Sequence, residues 1–186
     1  MKYEKTIILK DGRKCILRNA AGKDAEEVLS DFNKAHGETD FLTSYPDEKR
    51  LSVEEERDFL SDKEQSDSET EICAVVDGKI IGCAGISKIG TREKIKHRAE
   101  FGISIEKEYW GLGIGRALTA ACIECAGKAG YIQLELDVVA DNKKAVALYK
   151  SMGFSEYGRN PKGFRSRYSG WQELILMRRE LTEDCL

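Results

Sequence analysis

The sequence lacks any long hydrophobic run. No apolar stretch approaches the roughly 18–20 residues that a membrane-spanning helix requires. The first ten residues, MKYEKTIILK, carry an acid at Glu4 and have no long apolar stretch of the kind found in a secretory signal. We therefore expect a cytoplasmic protein with no membrane partner.

Strong net charge is also absent. The chain has 30 basic and 33 acidic residues, for a formal net charge of -3. General nucleic-acid binders are usually strongly basic, so we expect no nucleic-acid partner. The 186 residues are 41% hydrophobic, which is enough for a core, and the two prolines leave no obvious linker. These figures predict one domain over residues 1–186.

Histidine is scarce, and no histidine or second cysteine pair stands at zinc-finger spacing from the six cysteines. A protein that is not secreted keeps its thiols reduced. Cys122 and Cys125 form a C-x-x-C pair inside a helical pattern, so a redox role is the alternative to buried small side chains. We favour buried thiols and expect no metal.

Apolar periodicity and turn residues predict strands joined by hairpins, followed by alternating strands and helices. The predicted strands are Lys14–Arg18, Glu71–Val76, Lys79–Ser87, Arg98–Ile105, Gln133–Val139, Phe154–Gly158 and Glu173–Arg178. The predicted helices are Lys23–Ala35, Ser52–Lys63, Gly113–Lys128 and Lys143–Ser151. This order indicates a mixed α/β (α+β) fold, with a mixed sheet and helices on its faces.

Two local signals are specific. Ser52 is followed three residues later by Glu55, which is the pattern of a capping box at a helix start. Asp77-Gly78 between two strands predicts a tight hairpin, because both positions tolerate positive φ.

Charge is unevenly distributed along the chain. Asp47–Glu71 contains eleven acids and four bases, Lys88–Arg98 contains five bases and one acid, and Gly158–Gly170 contains four bases and no acid. Such stretches are typical of solvated faces. The alternative is an acidic side for a cationic substrate and a basic side for an anionic cofactor.

Three alternating glycines, Gly111, Gly113 and Gly115, lie between a strand ending near Ile105 and the helix that starts near Gly113. Glycine permits a tight turn and close approach of a ligand to the backbone. The N–H groups and dipole of the helix N-terminus favour an anion. The pattern predicts a site for a nucleotide-like phosphate or pyrophosphate, with Arg116 as a charged contact; a plain tight turn is the alternative.

Two common nucleotide motifs fit poorly. The ATPase loop Gly-x-x-x-x-Gly-Lys-Ser/Thr is absent. The dinucleotide fingerprint Gly-x-Gly-x-x-Gly fails at its third glycine, which is Arg116 or Leu118 depending on the register. Glu135 lies about twenty residues on, where a ribose-binding acid is expected, but it falls inside a predicted strand. We do not favour a dinucleotide site.

Two segments resemble the GCN5-related N-acetyltransferase (GNAT) family. Trp110-Gly111-Leu112-Gly113-Ile114-Gly115 is similar to its acetyl-CoA loop, Gln/Arg-x-x-Gly-x-Gly/Ala, with tryptophan in the first position. Asn142–Phe154 is similar to the family segment Asn-x-x-Ala-x-x-Leu-Tyr-x-x-x-Gly-Phe, and it follows at the family's distance. The N-terminal third is only loosely constrained by the family pattern.

The resemblance implies a mostly antiparallel central sheet with helices on both faces and a splayed parallel pair, here Ala99–Ile105 and Gln133–Val139. It also implies direct acetyl transfer from acetyl-CoA to an amine in a ternary complex, which needs no cysteine. The implied cofactor-binding residues are Ile103, Ser104, Ile105, Gly111, Leu112, Gly113, Ile114, Gly115, Arg116, Asn142 and Tyr149.

The chemistry needs a base, because a primary amine with a pKa near 10 is mostly ammonium at pH 7. The resemblance implies Glu100 as this base, acting directly or through water, and Tyr149 as the acid for the departing thiolate. A surface glutamate and a core tyrosine are the alternatives. Asn142 would contact the CoA chain, cap the following helix, or do both.

The loop between Ala35 and Ser52 is expected to overhang the acetyl group. Its acids and aromatics would hold a cationic amine by charge and cation–π contact, or would form a solvated loop with Phe41 in the core. The Phe164–Trp171 segment would close the other side or form a homodimer surface. The candidate acceptor-binding residues are Glu38, Asp40, Phe41 and Tyr45.

The sequence therefore predicts an N-acetyltransferase acting on a small-molecule amine. The alternatives are a protein N-terminal acetyltransferase, including the ribosomal-protein type, and a non-catalytic acyl-CoA-binding sensor. A sensor would not need Glu100 or Tyr149, so their presence favours an enzyme.

Overall fold

The computed structural model describes residues 1–49 and 51–181. The strands are β1 (Glu4–Ile8), β2 (Lys14–Asn19), β3 (Thr70–Val76), β4 (Lys79–Lys88), β5 (Arg98–Ile105), β6 (Gln133–Val139), β7 (Ser155–Ser166) and β8 (Gly170–Glu180). The helices are α1 (Ala25–Gly37), α2 (Val53–Gln65), α3 (Ile114–Lys128) and α4 (Lys143–Ser151), with short 3-10 turns at Gly22–Asp24 and Lys107–Tyr109.

The strands form one eight-stranded sheet in the order β1-β2-β3-β4-β5-β6-β8-β7. Every neighbouring pair is antiparallel except β5 and β6, which are parallel. The predicted fold class is confirmed. The predicted hairpin between β3 and β4 is also present, with positive φ at Asp77 (51°) and Gly78 (81°).

The predicted capping box opens α2. The Ser52 hydroxyl accepts a hydrogen bond from the Glu55 N–H at 3.2 Å, and the Glu55 carboxylate accepts one from the Ser52 N–H at 2.7 Å. The two reciprocal bonds satisfy N–H groups that have no acceptor within the helix, so the helix start follows from local sequence.

β2, β3 and β4 differ from prediction by one residue at one end, and three other strands differ by more. β1 was not predicted, and both β7 and β8 are longer than the segments Phe154–Gly158 and Glu173–Arg178. β1 and β7 are the edge strands of the sheet, and most of their residues are exposed. Exposed edges lack the apolar alternation by which a half-buried strand is recognised.

Each face of the sheet carries its own apolar core. α3 packs on β3, β4 and β5 in the larger core, which contains Phe101, Leu118 and Tyr149. α1 and α2 pack with β3 and β4 in a smaller core that contains Leu60 and Cys83. The sheet therefore separates the α3–α4 side from the α1–α2 side.

The five described cysteines are buried free thiols, as the sequence predicted, and Cys185 lies outside the described residues. Burial raises the pKa of Cys15 to about 11 and that of Cys73 to about 12, so neither forms a thiolate near neutral pH. Within residues 1–49 and 51–181, no cluster of three or more possible metal ligands occurs. None of the helices in this part of the chain is both long and apolar enough to span a bilayer.

Candidate active site

The parallel strands β5 and β6 separate in the middle of the sheet. They pair only from Arg98 to Glu100 on β5 and from Gln133 to Glu135 on β6. Beyond these residues β5 remains paired with β4, and β6 with β8. The gap is the predicted splay, and it leaves one edge of β5 without a strand partner.

A cavity of about 810 Å³ lies at this gap. Its wall includes β5 from Glu100 to Ser104, β6 from Leu136 to Val138, and Tyr149 of α4. It also includes residues of α1, α2 and β3 on the opposite face of the sheet. The cavity thus joins the two sides of the molecule through the gap.

The glycine turn lies immediately before α3. Gly111 and Gly113 have φ angles of 82° and 103°, in the left-handed region that glycine adopts most readily. A Cβ atom at either position would meet nothing within 4 Å, so the space above the turn is open. The first N–H groups of α3, which begins at Ile114, have no acceptor within the helix. This geometry suits an anion at the turn.

Two other side chains brace the turn. The Trp110 indole N–H donates to the Ile105 carbonyl at 2.8 Å and so ties the turn to the end of β5. The Arg116 guanidinium donates to the Ser151 hydroxyl at 2.7 Å, at the end of α4. Its contact with a phosphate stays a prediction.

Tyr149 lies in the core and on the cavity wall. The ring is only 7% exposed and packs edge-on against Phe101 and Phe154, with centroid distances of 6.1 and 5.9 Å. Burial raises the pKa of its phenol to about 12, so the hydroxyl stays protonated at neutral pH. Asn142 caps α4 by accepting from the Ala145 N–H at 3.2 Å, and it also lines the cavity.

Glu100 is an exposed residue of β5 on the cavity wall, while Phe101 is buried on the opposite face as strand alternation predicted. Its partner on β6, Glu135, is buried and engaged by Arg98, whose Nη2 donates to Oε2 at 2.7 Å. The hydrogen bonds from Arg98 lower the pKa of Glu135 below its usual range. Glu135 is therefore a paired, ionised strand residue.

The α1–α2 loop is fastened to the β7–β8 hairpin. The Asp40 carboxylate accepts hydrogen bonds from the Ser166 hydroxyl at 2.6 Å and from the Gln172 amide at 3.1 Å. The Tyr45 hydroxyl donates to Asp40 at 3.1 Å and accepts from the Arg167 N–H at 2.8 Å. These contacts give Asp40 and Tyr45 a structural role.

The four candidate acceptor-binding residues do not all lie at the cavity. Phe41 lines the cavity, whereas Glu38, Asp40 and Tyr45 lie outside its lining. Glu38 instead accepts from the Lys107 N–H at 2.6 Å. Their contacts with substrate stay predictions.

Sequence reasoning missed three carboxyl groups that line the cavity: the buried Asp31 on α1 and Glu56 on α2, and the half-buried Glu71 on β3. Burial raises the pKa of all three, to about 8 for Asp31 and about 7 for Glu71. A signal was present, because Asp31 follows the buried Val28 by three residues and so shares its helix face. An acidic residue on an otherwise apolar face is the sequence pattern that would have identified these carboxyl groups.

The chain matches the model of the acetyltransferase (GNAT) family over residues 31–154. It is 35% identical over 88 residues to the N-alpha-acetyltransferase RimI of Mycobacterium tuberculosis, covering 47% of this chain and 53% of that protein. It is 31% identical over 93 residues to the L-amino acid N-acetyltransferase AaaT of Escherichia coli, covering 50% and 57%. The chain thus spans about half the length of these curated relatives.

A similar solved structure is an acetyltransferase of the GNAT family from Streptococcus pneumoniae. The two chains superpose with a TM-score of 0.85 and 32% sequence identity, over 89% of this chain and 99% of that one.

Proposed function

Because the chain belongs to the GNAT acetyltransferase family, we propose that it transfers the acetyl group of acetyl-CoA directly to a primary amine of a small molecule. The observation that carries this proposal is the cavity through the splayed sheet. One end lies beside Tyr149, and the other end is lined by carboxyl groups. An acyl donor and an amine entering from opposite sides would meet at the gap.

The residues of the cleft fit acetyl-CoA. The open space above Gly111 and Gly113, together with the α3 N-terminus, suits the pyrophosphate. The unpaired edge of β5, from Phe101 to Ile105, offers backbone groups to the amides of the pantetheine arm. When bound, acetyl-CoA supplies a thioester carbonyl, and N–H groups of the same edge suit the oxyanion that forms on attack.

Glu100 is the proposed base. The acceptor ammonium must lose a proton before it attacks, and Glu100 lies on the cavity wall at the point where the strands part. The neighbouring Glu135 is held ionised by Arg98, so it is already committed to an ion pair. Glu100 takes the proton directly or through one water molecule.

Tyr149 is the proposed donor to the departing sulfur. Its pKa of about 12 lies above the value of about 8.5 that is usual for a thiol, so complete transfer of its proton is unfavourable while the thiolate keeps an ordinary pKa. A hydrogen bond from the phenol still stabilises the charge developing on sulfur. The tyrosine therefore stabilises the leaving group, and solvent supplies the final proton.

The loop and the hairpin that border the acceptor side are fastened together, which favours a small molecule over a protein N-terminus. Phe41 of the α1–α2 loop and Phe164 of β7 both line the cavity. The Arg167–Asp47 ion pair, at 2.7 Å, further joins the loop to the hairpin. A polypeptide acceptor would need an open groove at this place.

The test is thiol release from acetyl-CoA by the purified protein with small amines, amino acids and peptides. We expect turnover with small amines, with the acetylated product identified by mass spectrometry. Turnover confined to peptides would assign the acceptor to protein N-termini. Tight binding of acetyl-CoA by calorimetry without turnover of any amine would make the protein a sensor.

A further inference from the structure

We propose that the acceptor is a diamine, and that its second, unreacted ammonium group binds among Asp31, Glu56 and Glu71. We refer to these three residues as the carboxyl trio. This inference rests on the proposed function, because it names the acceptor class of the same site.

The carboxyl trio lines the part of the cavity on the α1–α2 side of the sheet. Its members belong to α1, α2 and β3, and all three line the same cavity as Glu100. Asp31 and Glu56 are only 3% and 7% exposed. Cys83 on β4 is affected by all three, since burial and the nearby charges of the trio raise the pKa of its thiol. Carboxyl groups from three different elements therefore line the cavity around Cys83, on the α1–α2 side of the sheet.

The buried carboxyl group of Asp31 lacks hydrogen-bond partners in the part of the chain that the structure describes. Neither of its carboxylate oxygens has a hydrogen-bond partner among the described residues. Buried polar atoms are normally paired, so an unpaired buried carboxyl group is unusual. Lys34, whose charge lowers the pKa of Asp31, is already bonded to Glu106 and Glu108. A cationic ligand would supply what the protein does not.

Two glycines lie in the sheet between Glu71 and the reacting end of the cavity. In the sheet register Glu71 lies opposite Gly85, and Gly85 lies opposite Gly102. A Cβ atom at Gly85 would overlap the Glu71 carboxylate, whereas a Cβ atom at Gly102 would meet nothing within 4 Å. The Glu71 side chain thus lies across β4, and open space continues beyond it above Gly102. Glu100 lies two residues away on the same face of β5.

Among residues 1–49 and 51–181, the cations that line the cavity do not fully balance the trio. Lys63 is buried beside it and supplies one positive charge, while its ammonium donates to the Ile86 carbonyl at 2.8 Å and the Ser87 hydroxyl at 2.6 Å. Its charge lowers the pKa of Glu71, yet burial still holds that value at about 7. Lys49 and Glu55 also line the cavity, but both are exposed, and they add one charge of each sign. The trio retains an excess of negative charge to be met by protons or by a ligand.

The reacting amine is poorly suited to be this ligand. Buried carboxylates around it would favour the ammonium form and raise its pKa, whereas attack needs the neutral amine. A second amine that never reacts gains from the same carboxylates throughout the reaction. The arrangement therefore separates a base at Glu100 from a charge-binding site at the trio.

The experiment compares kcat/KM for α,ω-diaminoalkanes of four to eight carbons with n-alkylamines and amino alcohols of equal length. We expect the best diamine to exceed its amino alcohol by about tenfold to a hundredfold, the value of one or two charge-assisted hydrogen bonds. Asp31→Asn and Glu71→Gln should each bring this ratio toward one. Asp58→Asn, an exposed substitution on α2, should leave the ratio unchanged. A ratio on one protein cancels any general loss of active enzyme.

Two outcomes separate the inference from the function on which it rests. If kcat/KM of the wild-type protein is as high for an amino alcohol as for the diamine of equal length, the site for the second charge is wrong and the acetyltransferase activity stands. If no amine is acetylated, the proposed function fails. The site for the second ammonium is then tested by calorimetry, which measures the affinity of the CoA-loaded protein for the diamine. Binding that weakens in Asp31→Asn supports the site, whereas equal binding of diamine and amino alcohol overturns it.

Discussion

Raising the pH should destabilise the folded protein through Asp31. The pKa of this carboxyl is about 8 in the folded protein, whereas its ordinary value is 3.8, and burial is the main cause of the increase. Between these values the unfolded chain has lost the proton and the folded chain keeps it. The folded state therefore binds more protons, and the free energy of unfolding falls as the pH rises until it passes the folded pKa.

The magnitude follows from the size of the shift. Each unit of pH in this interval costs about 1.4 kcal/mol, and the slope levels off near the folded pKa. Between pH 5 and pH 8 the loss from Asp31 is then about 4 kcal/mol. Glu71, with a pKa of about 7, adds a decline of the same sign, but that share remains when Asp31 is replaced. A loss of this size is a large part of an ordinary domain's stability of about 5–15 kcal/mol.

The assay is urea unfolding of the wild type, Asp31→Asn and Asp58→Asn at several pH values from 5 to 8. We expect the wild type to lose about 4 kcal/mol more than Asp31→Asn across this interval. The exposed control Asp58→Asn should follow the wild type. A constant offset caused by the new amide would not affect the slope. Parallel curves for the wild type and Asp31→Asn would refute the reasoning, because they would mean that folding leaves the affinity of Asp31 for protons unchanged.

Three further substitutions test the machinery of transfer. Glu100→Gln should lower kcat/KM by about a hundredfold or more and remove the acid limb of its pH profile; an unchanged acid limb would exclude Glu100 as the base. Tyr149→Phe should lower kcat while calorimetry shows unchanged affinity for acetyl-CoA, and an unaltered kcat would remove the phenol from the mechanism. Gly113→Ala and Gly78→Ala, at φ values of 103° and 81°, should each cost roughly 1–2 kcal/mol of stability, from the strain of a side chain in the left-handed region. Only Gly113→Ala should weaken acetyl-CoA binding, and equal affinities in the two variants would contradict a cofactor site at the turn.

Elements with strong local signals were predictable. The Ser52 cap, the Asp77-Gly78 hairpin and the glycine turn before α3 each depend on residues a few positions apart. Their conformations follow from backbone sterics and from local hydrogen bonds, so sequence alone was sufficient. The edge strand β1 carried no such signal, because its residues are mostly exposed.

The acceptor side shows the limit of local reasoning. Asp40 and Tyr45 have the chemistry of a cation-binding loop, but the β7–β8 hairpin, more than a hundred residues later, supplies hydrogen-bond partners for both. Only the folded chain brings the hairpin to the loop. The same residue types would have been available to a ligand in another arrangement.

The sequence by itself determined the glycine turn, the Asn142–Phe154 segment and the order of most strands and helices, because each depends on neighbours close in the chain. Only the tertiary structure decided that Asp31, Glu56 and Glu71 line one cavity, that Glu71 lies across Gly85, and that the space above Gly102 is open. Periodicity tells which face of an element a carboxyl occupies. Its protonation and its ligand depend on what packs against that face, and those groups come from distant parts of the chain.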